Sequence, residues 1–288
     1  MTFGTQWAAK SWQTGPYELV GEHWFDNWYQ FAEDHFHRAS SSSALDKLRT
    51  VVESVAETAF GDQHYWVNDL EVVRTAPDLF QISAKDVFNA VFDLSNNLLR
   101  LSLTAHAETP RVTLGNALRG AISIALPLQF DGLMFHASSG ILDNHGVFFP
   151  GISTAGKTTL ALGFEKVTYL SDDVTLTRDL VNQPTLSASP FFGIAGRKGA
   201  NAEAPLDAVG VLVRKHPNKT AITRLSEKAA LQELMRHAIC WGNDAGLHAA
   251  ILSNVHSLVQ QVPVFAVERY LGDSSDVITE RVLSAANV

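Results

Sequence analysis

The chain has 288 residues, of which 46% are hydrophobic and 18% charged, which is typical of a globular protein and excludes disordered, collagen-like and coiled-coil chains. Its 30 acidic and 22 basic residues give a formal net charge of −8. This balance disfavours nucleic acid or an anionic membrane surface as a partner.

Three further features favour a cytoplasmic protein. No apolar run reaches the roughly 20 residues that a membrane-spanning helix needs. The first residues lack the basic start and apolar stretch of a secretory signal. The single cysteine, Cys240, cannot form an internal disulfide, which fits a reducing compartment.

Residues 1–110 predict an N-terminal α+β domain, rich in antiparallel strands and a candidate for substrate recognition. A helix is predicted from Ala44 to about Ala59, because apolar residues recur there at intervals of three and four. Short runs of β-branched and aromatic residues follow at 65–74, 79–84, 87–94 and 98–104. They predict an antiparallel meander with a turn at Ser95-Asn96-Asn97.

Residues 111–288 predict a second domain of α/β class, because strand and helix signals alternate. A helix over 116–126 is expected to stop at Pro127, and a strand to follow over 128–136. Further strands are predicted at 146–150, 167–171, 208–214, 220–225 and 263–270. Further helices are predicted at 157–164, 227–239, 245–260 and near the C-terminus.

Residues 151–158, named loop 151–158 below, read Gly-Ile-Ser-Thr-Ala-Gly-Lys-Thr. They match the phosphate-binding pattern G-x-x-x-x-G-K-[ST], the P-loop, between an apolar strand and a helix. In this pattern backbone N–H groups and the helix N-terminus surround phosphate oxygens, lysine reaches the terminal phosphates and the final hydroxyl binds Mg²⁺. The predicted nucleotide-binding residues are Gly151, Ser153, Thr154, Ala155, Gly156, Lys157, Thr158 and Thr159. Thr154 is unusual, since its β-branched side chain resists the positive φ that a glycine would adopt there.

Two adjacent carboxylates, Asp172 and Asp173, end an apolar strand, the first of them 21 residues after Gly151. Neighbouring residues of a strand point to opposite faces, so the two carboxylates are expected to differ in role unless the strand has already ended. One would bind Mg²⁺ together with Thr158, and the other would face an attacking hydroxyl. Phosphoryl transfer depends mainly on positioning and charge neutralisation, which this set provides.

His136 ends an apolar strand 15 residues before Gly151. Residues 133–138, 151–158 and 170–173 together resemble the HPr kinase/phosphorylase family and its smaller relatives, whose catalytic domain is akin to phosphoenolpyruvate carboxykinase. The resemblance spans roughly residues 130 to 178 and does not extend to the first 110 residues.

The resemblance implies a catalytic domain of that fold with specific roles for its residues. His136 would support the acidic pair, Lys157 and Thr158 would serve the phosphates and Mg²⁺, and either Asp172 or Asp173 would be the base toward a substrate hydroxyl. The transition-state arginine of the bifunctional members has no recognisable counterpart. Arg197 is assigned that role from its place in a glycine-flanked basic loop.

These features predict a kinase that uses ATP and Mg²⁺ to phosphorylate a hydroxyl of a protein serine, a peptide or a small-molecule alcohol. Small-metabolite kinases of the shikimate or gluconate type share the local spacing, but they begin with their phosphate loop. A GTPase is disfavoured because Asn218-Lys219-Thr220-Ala221 has alanine where guanine recognition requires Asp. No Leu-Ser-Gly-Gly-Gln run suggests a transporter ATPase.

One alternative belongs to a different class: a nucleotide-binding scaffold or regulatory protein with little or no transfer activity. Thr154 and the unassigned arginine keep this alternative open. The sequence leaves the phosphate acceptor, the choice between ATP and GTP and assembly into a homo-oligomer undecided.

Overall fold

The structure, a computed structural model, describes most of the chain. The described residues are 10–14, 17–21, 37–38, 47–56, 70–84, 88–104, 110–191, 193, 196–215 and 218–288. Two compact units divide the chain, Met1–Ile124 with Trp241–Asp244, and Ala125–Cys240 with Ala245–Val288. Both contain a β-sheet, and the fold is mixed α/β. The boundary predicted near residue 110 stays a prediction.

The sheet of the first unit is mostly antiparallel. Its strands are β1 (Lys10–Thr14), β2 (Tyr17–Gly21), β3 (His37–Arg38), β4 (Lys47–Ala56), β5 (Glu71–Ala76), β6 (Leu79–Ala84), β7 (Phe88–Asp93) and β8 (Leu98–Thr104). Their order is β3-β1-β2-β4-β8-β7-β6-β5, with β4 parallel to both β2 and β8. Strands β5 to β8 form the predicted meander. The predicted turn between β7 and β8 is also confirmed, with Asn97 at a φ of 49°.

The predicted helix from Ala44 is wrong, because the structure has the strand β4 there. The segment contains Thr50, Val51, Val52 and Val55, whose branched side chains lose rotamer freedom in a helix and favour strands. Pairing of β4 with a strand on either side satisfies its backbone hydrogen bonds. Tertiary pairing therefore outweighs the helical spacing of the apolar residues.

Helix α1 (Pro110–Gln129) is longer at both ends than the predicted helix over 116–126. Pro127 lies inside it, near the end, where its missing N–H removes a single bond to the preceding turn. The Pro127 carbonyl accepts a hydrogen bond from Asn254 Nδ2 at 3.3 Å. The strand predicted from residue 128 consequently begins later, at Leu133. Among the described residues, no helix is long and apolar enough to cross a membrane.

The sheet of the second unit mixes parallel and antiparallel strands. These are β9 (Leu133–Leu142), β10 (His145–Pro150), β11 (Thr168–Ser171), β12 (Val174–Arg178), β13 (Thr185–Ser187), β14 (Glu203–Val213), β15 (Ala221–Arg224) and β16 (Val264–Glu268). The helices are α2 (Lys157–Leu162), α3 (Glu227–His237), α4 (Ala245–Gln261) and α5 (Ser275–Ala285). The elements predicted after residue 145 are confirmed with shifted ends, while β12 and β13 are absent from the prediction.

Strand β9 organises the pairing of this unit. Its first residues pair with β12, and its later residues pair with β10 and β11, all antiparallel. Strand β14 pairs with β13 and, in the parallel sense, with β10 and β16. The pairings β9–β12–β13–β14–β10–β9 therefore form a closed circuit, which fixes the ends of these strands relative to one another.

Three parallel strands end side by side. Gly151, directly after β10, bridges to Leu212 of β14, and Leu212 is the register partner of Val267 of β16. Loop 151–158 begins at this edge. A cluster of buried apolar residues supports it and packs α2 and α5 on the sheet; its members include Val147, Phe149, Leu160, Leu212, Phe265, Val267, Ile278 and Val282.

Candidate functional site

Loop 151–158 connects β10 to α2 through a compact turn. The Ala155 N–H donates to the Ile152 carbonyl at 3.1 Å. Gly156 has a φ of 96°, a conformation that residues with a Cβ rarely adopt. Thr154 has a φ of 68°, so the threonine occupies the left-handed conformation that the sequence identified as unfavourable for it. The loop therefore stores backbone strain at Thr154.

Lys157 is buried, with 7% of its surface exposed. Its Nζ donates to the carbonyls of Gly151 at 2.7 Å and Ile152 at 3.2 Å. Burial lowers the pKa of Lys157, and the negative charge of Asp173 opposes this shift. The lysine charge is therefore held by its own loop and interacts with Asp173.

Asp173 contacts His136. The His136 Nδ1 lies 3.1 Å from Asp173 Oδ1 and 3.1 Å from the Asp173 backbone carbonyl. Both oxygens are acceptors, so Nδ1 carries the hydrogen. The contact follows from strand pairing, because His136 of β9 is the register partner of Val174 of β12. The side chain of His136 is 45% exposed and that of Asp173 is 19% exposed, so solvent reaches this pair.

Asp172 has a different environment. It is 1% exposed, and its Oδ1 accepts hydrogen bonds from the Tyr169 hydroxyl at 2.9 Å and the Gly193 N–H at 2.8 Å. Its Oδ2 is buried and has no hydrogen-bond partner in the described part of the chain. Burial, and then the charge and hydrogen bonding of Asp172, raise the pKa of Tyr169. Asp172 thus anchors the segment at Gly193.

Arg197 lies beside Tyr169. Its guanidinium carbon is 4.5 Å from the centre of the Tyr169 ring, and its backbone carbonyl is a second acceptor for the Tyr169 hydroxyl at 3.1 Å. The Arg197 residue is exposed. The structure thus brings Arg197 to the Tyr169–Asp172 pair.

The other predicted nucleotide-binding residues lie along the loop and the first turn of α2. Ser153, Thr154 and Thr159 are exposed, and Ala155 and Thr158 are half-buried. Ser153, Thr154 and Thr159 are therefore accessible to a ligand.

The oxygen donors predicted for Mg²⁺ are Thr158, Asp172 and Asp173. In the described ranges no cluster of three or more His, Cys, Asp or Glu could hold a metal alone. Mg²⁺ is commonly bound by one or two carboxylates, water and substrate phosphates. A hydroxyl and two carboxylates, one with a buried unpartnered oxygen, fit that manner of binding.

Two residues near the loop escape the sequence prediction. His237, at the end of α3, is 7% exposed; burial, and then the charges of Lys157 and His136, lower its pKa to about 4. Arg269 follows β16, and a Cβ on Gly156 would lie 3.9 Å from its Nη1. Both are far from the loop in sequence, and the sequence contains no local signal for either.

Comparisons with known proteins do not establish a family. No protein-family model and no curated protein matches the sequence. Among solved structures, the chain is similar to the Hpr(Ser) kinase/phosphatase from Coxiella burnetii, with 13% identity and a TM-score of 0.30. The similarity covers 54% of this chain and 90% of that one. At this level of likeness, the family expected from the sequence stays a prediction.

Proposed function

We propose that the second unit is an ATP-dependent kinase that transfers the γ-phosphoryl group to an alcohol, such as a serine hydroxyl of a protein or peptide or a small-molecule hydroxyl. The observation that carries the proposal is geometric: a buried Lys157 follows the left-handed Gly156 in loop 151–158 at the end of β10, and the Asp173 carboxylate lies 3.1 Å from His136. The effect of the Asp173 charge on the pKa of Lys157 supports it.

In the proposed reaction, loop 151–158 binds the phosphates. Backbone N–H groups of the loop and the hydroxyls of its exposed residues donate to phosphate oxygens. The Lys157 amine exchanges its bonds to Gly151 and Ile152 for bonds to the terminal phosphates, where a positive charge stabilises the negative charge that develops.

Asp173 is the proposed base. The acceptor hydroxyl passes its proton to the Asp173 carboxylate while its oxygen forms a bond to the γ-phosphorus. The bond from that phosphorus to the bridging oxygen breaks, and ADP leaves with the electron pair. The His136 Nδ1–H orients the carboxylate by bonding its Oδ1. Asp172, whose Oδ1 already accepts hydrogen bonds from Tyr169 and Gly193, takes no part in the proton transfer.

Bound Mg²⁺ would neutralise charge on the terminal phosphates. Thr158 Oγ1 and the carboxylate oxygens of Asp172 and Asp173 are the groups that would hold it.

The test uses water as a substitute acceptor, because the natural one is unidentified. Purified protein is titrated calorimetrically with ATP, with and without Mg²⁺, and slow ADP formation is then followed. We expect Mg²⁺-dependent binding in the micromolar to millimolar range typical of enzyme substrates. Asp173→Asn should retain binding but lose ADP formation, and Lys157→Ala should lose both.

Two results separate the proposal from its alternative. Binding without ADP formation, in the presence of serine peptides and simple alcohols, would favour the nucleotide-binding scaffold. No binding would exclude both functions. Lys166→Ala is the matched control, since Lys166 lies beyond the far end of α2 and its side chain is 73% exposed. This substitution should change neither ATP binding nor ADP formation.

A further inference from the structure

Arg269 lies at the edge of the sheet where loop 151–158 begins. Gly151, Leu212 and Val267 form a row across the ends of three parallel strands. Arg269 comes two residues after Val267, directly beyond the end of β16. In α/β sheets, ligands bind outside the carboxyl ends of the strands. The topology therefore places an arginine at the end of the sheet that favours ligand binding.

The guanidinium of Arg269 reaches the loop itself. A Cβ on Gly156 would lie 3.9 Å from Nη1, and apart from residues 155–157 no atom of the described residues is nearer to that position. Gly156 directly precedes Lys157. The positive charge of Arg269 thus lies beside the segment whose lysine is expected to bind phosphate.

Arg269 also lacks the ion-pair and hydrogen-bond partners that Arg178 and Arg281 of this unit have. Arg178 pairs with Glu203 at 3.0 Å, and Arg281 donates to the Thr220 carbonyl at 2.8 Å. For Arg269, the structure shows no ion pair within its described residues, and the buried Nε has no hydrogen-bond partner. Burial lowers the pKa of Arg269 without a carboxylate to offset it.

A partly buried guanidinium without an anionic partner costs free energy, because it loses hydration and gains no ion pair. Such a cost is recovered when an anion binds. Arginine is well suited to this, since its planar donors can bind two phosphate oxygens at once.

We propose that Arg269 is a phosphate-binding residue of the nucleotide site, donating to an oxygen of the polyphosphate held by loop 151–158 and Lys157. The inference rests on the proposed function for the identity of the ligand. Arg269 would add a second positive charge to that of Lys157. Arg197, by contrast, lies over the ring of Tyr169.

The experiment compares the wild type with Arg269→Met, Arg269→Lys and the surface control Lys166→Met. Each protein is titrated calorimetrically with tripolyphosphate and with ATP in the presence of Mg²⁺, and its thermal unfolding is measured without ligand. Arg269→Met keeps the apolar stem but removes the donors, so it should bind both ligands about tenfold more weakly or worse. Arg269→Lys should fall between it and the wild type, and Lys166→Met should match the wild type.

Ligand-free stability gives an independent readout. Removing an unpaired, partly buried charge should leave the unfolding temperature of Arg269→Met equal to that of the wild type or higher. A clear loss of stability would assign Arg269 a structural role and overturn the proposal, as would equal binding of both ligands by Arg269→Met and the wild type.

These titrations, together with the measurement of ADP formation, separate this inference from the kinase proposal. Wild-type protein that binds both ligands through Arg269 but transfers no phosphate would refute the kinase and support the phosphate site. Wild-type protein that binds neither ligand would refute both.

Discussion

Asp172 and Asp173 are adjacent in the chain, but their carboxylates enter separate hydrogen-bond networks. That of Asp172 is buried and accepts bonds from Tyr169 and the segment after β13. That of Asp173 contacts His136 where solvent has access. The strand β11 ends one residue earlier at Ser171, whose Oγ accepts the Asp173 N–H at 3.2 Å. This turn directs one carboxylate inward and the other towards the lysine and histidine.

The separation predicts opposite phenotypes for Asp172→Asn and Asp173→Asn. Asp172→Asn places an amide group in a buried site whose neighbours are donors, so the free energy of unfolding should fall by about 2 kcal/mol. Asp173→Asn leaves this network intact and removes the proposed base, so kcat should fall at least about a hundredfold with little change in stability. Thermal unfolding and ADP formation measure the two effects. Equal and mild effects from both variants would contradict the assigned roles.

The mixed sheet of the second unit could be predicted well from the sequence. Its parallel strands are short apolar runs between Gly, Pro and helix signals. Strands that are buried on both faces are hydrophobic at nearly every position, which makes them easy to recognise in a sequence. Loop 151–158, the strand that carries His136 and the strand that precedes Asp172 and Asp173 follow from the same local patterns. The structure places His136 against Asp173 through the pairing of β9 with β12, although β12 itself is absent from the prediction.

What the sequence could not reveal depends on distant contacts. His237 lies 80 residues after Lys157 and Arg269 lies 113 residues after Gly156, so periodicity holds no information about either contact. The wrong helix from Ala44 has a related cause, because pairing with β2 and β8 decides that segment. The different roles of the two Asp side chains are expected from the alternation of side chains within a strand, whereas the structure ends β11 at Ser171 and separates the two side chains by the turn that follows.

Thr154→Gly is predicted to stabilise the protein. A residue with a Cβ in the left-handed conformation costs about 1–2 kcal/mol, part of which is offset by the greater backbone entropy of glycine in the unfolded chain. The net gain should be about 0.5–1 kcal/mol, measured by thermal or urea unfolding. Thr159→Gly, in the helix that follows, is the matched control and should lose about 0.5 kcal/mol. Destabilisation by both substitutions would show that Thr154 is not strained.

Tyr169→Phe is predicted to destabilise the site without removing either carboxylate. The buried Asp172 Oδ1 would lose the hydroxyl donor at 2.9 Å, which should cost about 1–2 kcal/mol. The ring face that supports Arg197 would remain. Tyr270→Phe is the control, since this ring is 41% exposed and its variant should unfold like the wild type. An unchanged unfolding free energy for Tyr169→Phe would argue against the bond.

The buried His237 is expected to make the free energy of unfolding fall as the pH falls. Burial, and then Lys157 and His136, lower its pKa from 6.5 to about 4 in the folded protein. Above about pH 6.5 the histidine is neutral in both states and contributes nothing. Between about pH 6.5 and 4 the unfolded chain binds a proton that the folded protein does not, so stability falls as the pH falls. Over this range the contribution reaches about 3 kcal/mol.

The measurement compares urea unfolding of the wild type and His237→Gln at pH 7, 6, 5 and 4. Other acidic groups change stability in this range too, so the quantity of interest is the difference between the two proteins. That difference should move in favour of the variant by about 3 kcal/mol from pH 7 to pH 4. His256→Gln is the control, because the His256 side chain is 58% exposed. The stability of this variant should depend on pH in the same way as that of the wild type. Parallel curves for the wild type and His237→Gln would show that His237 is protonated as readily in the folded protein as in the unfolded chain.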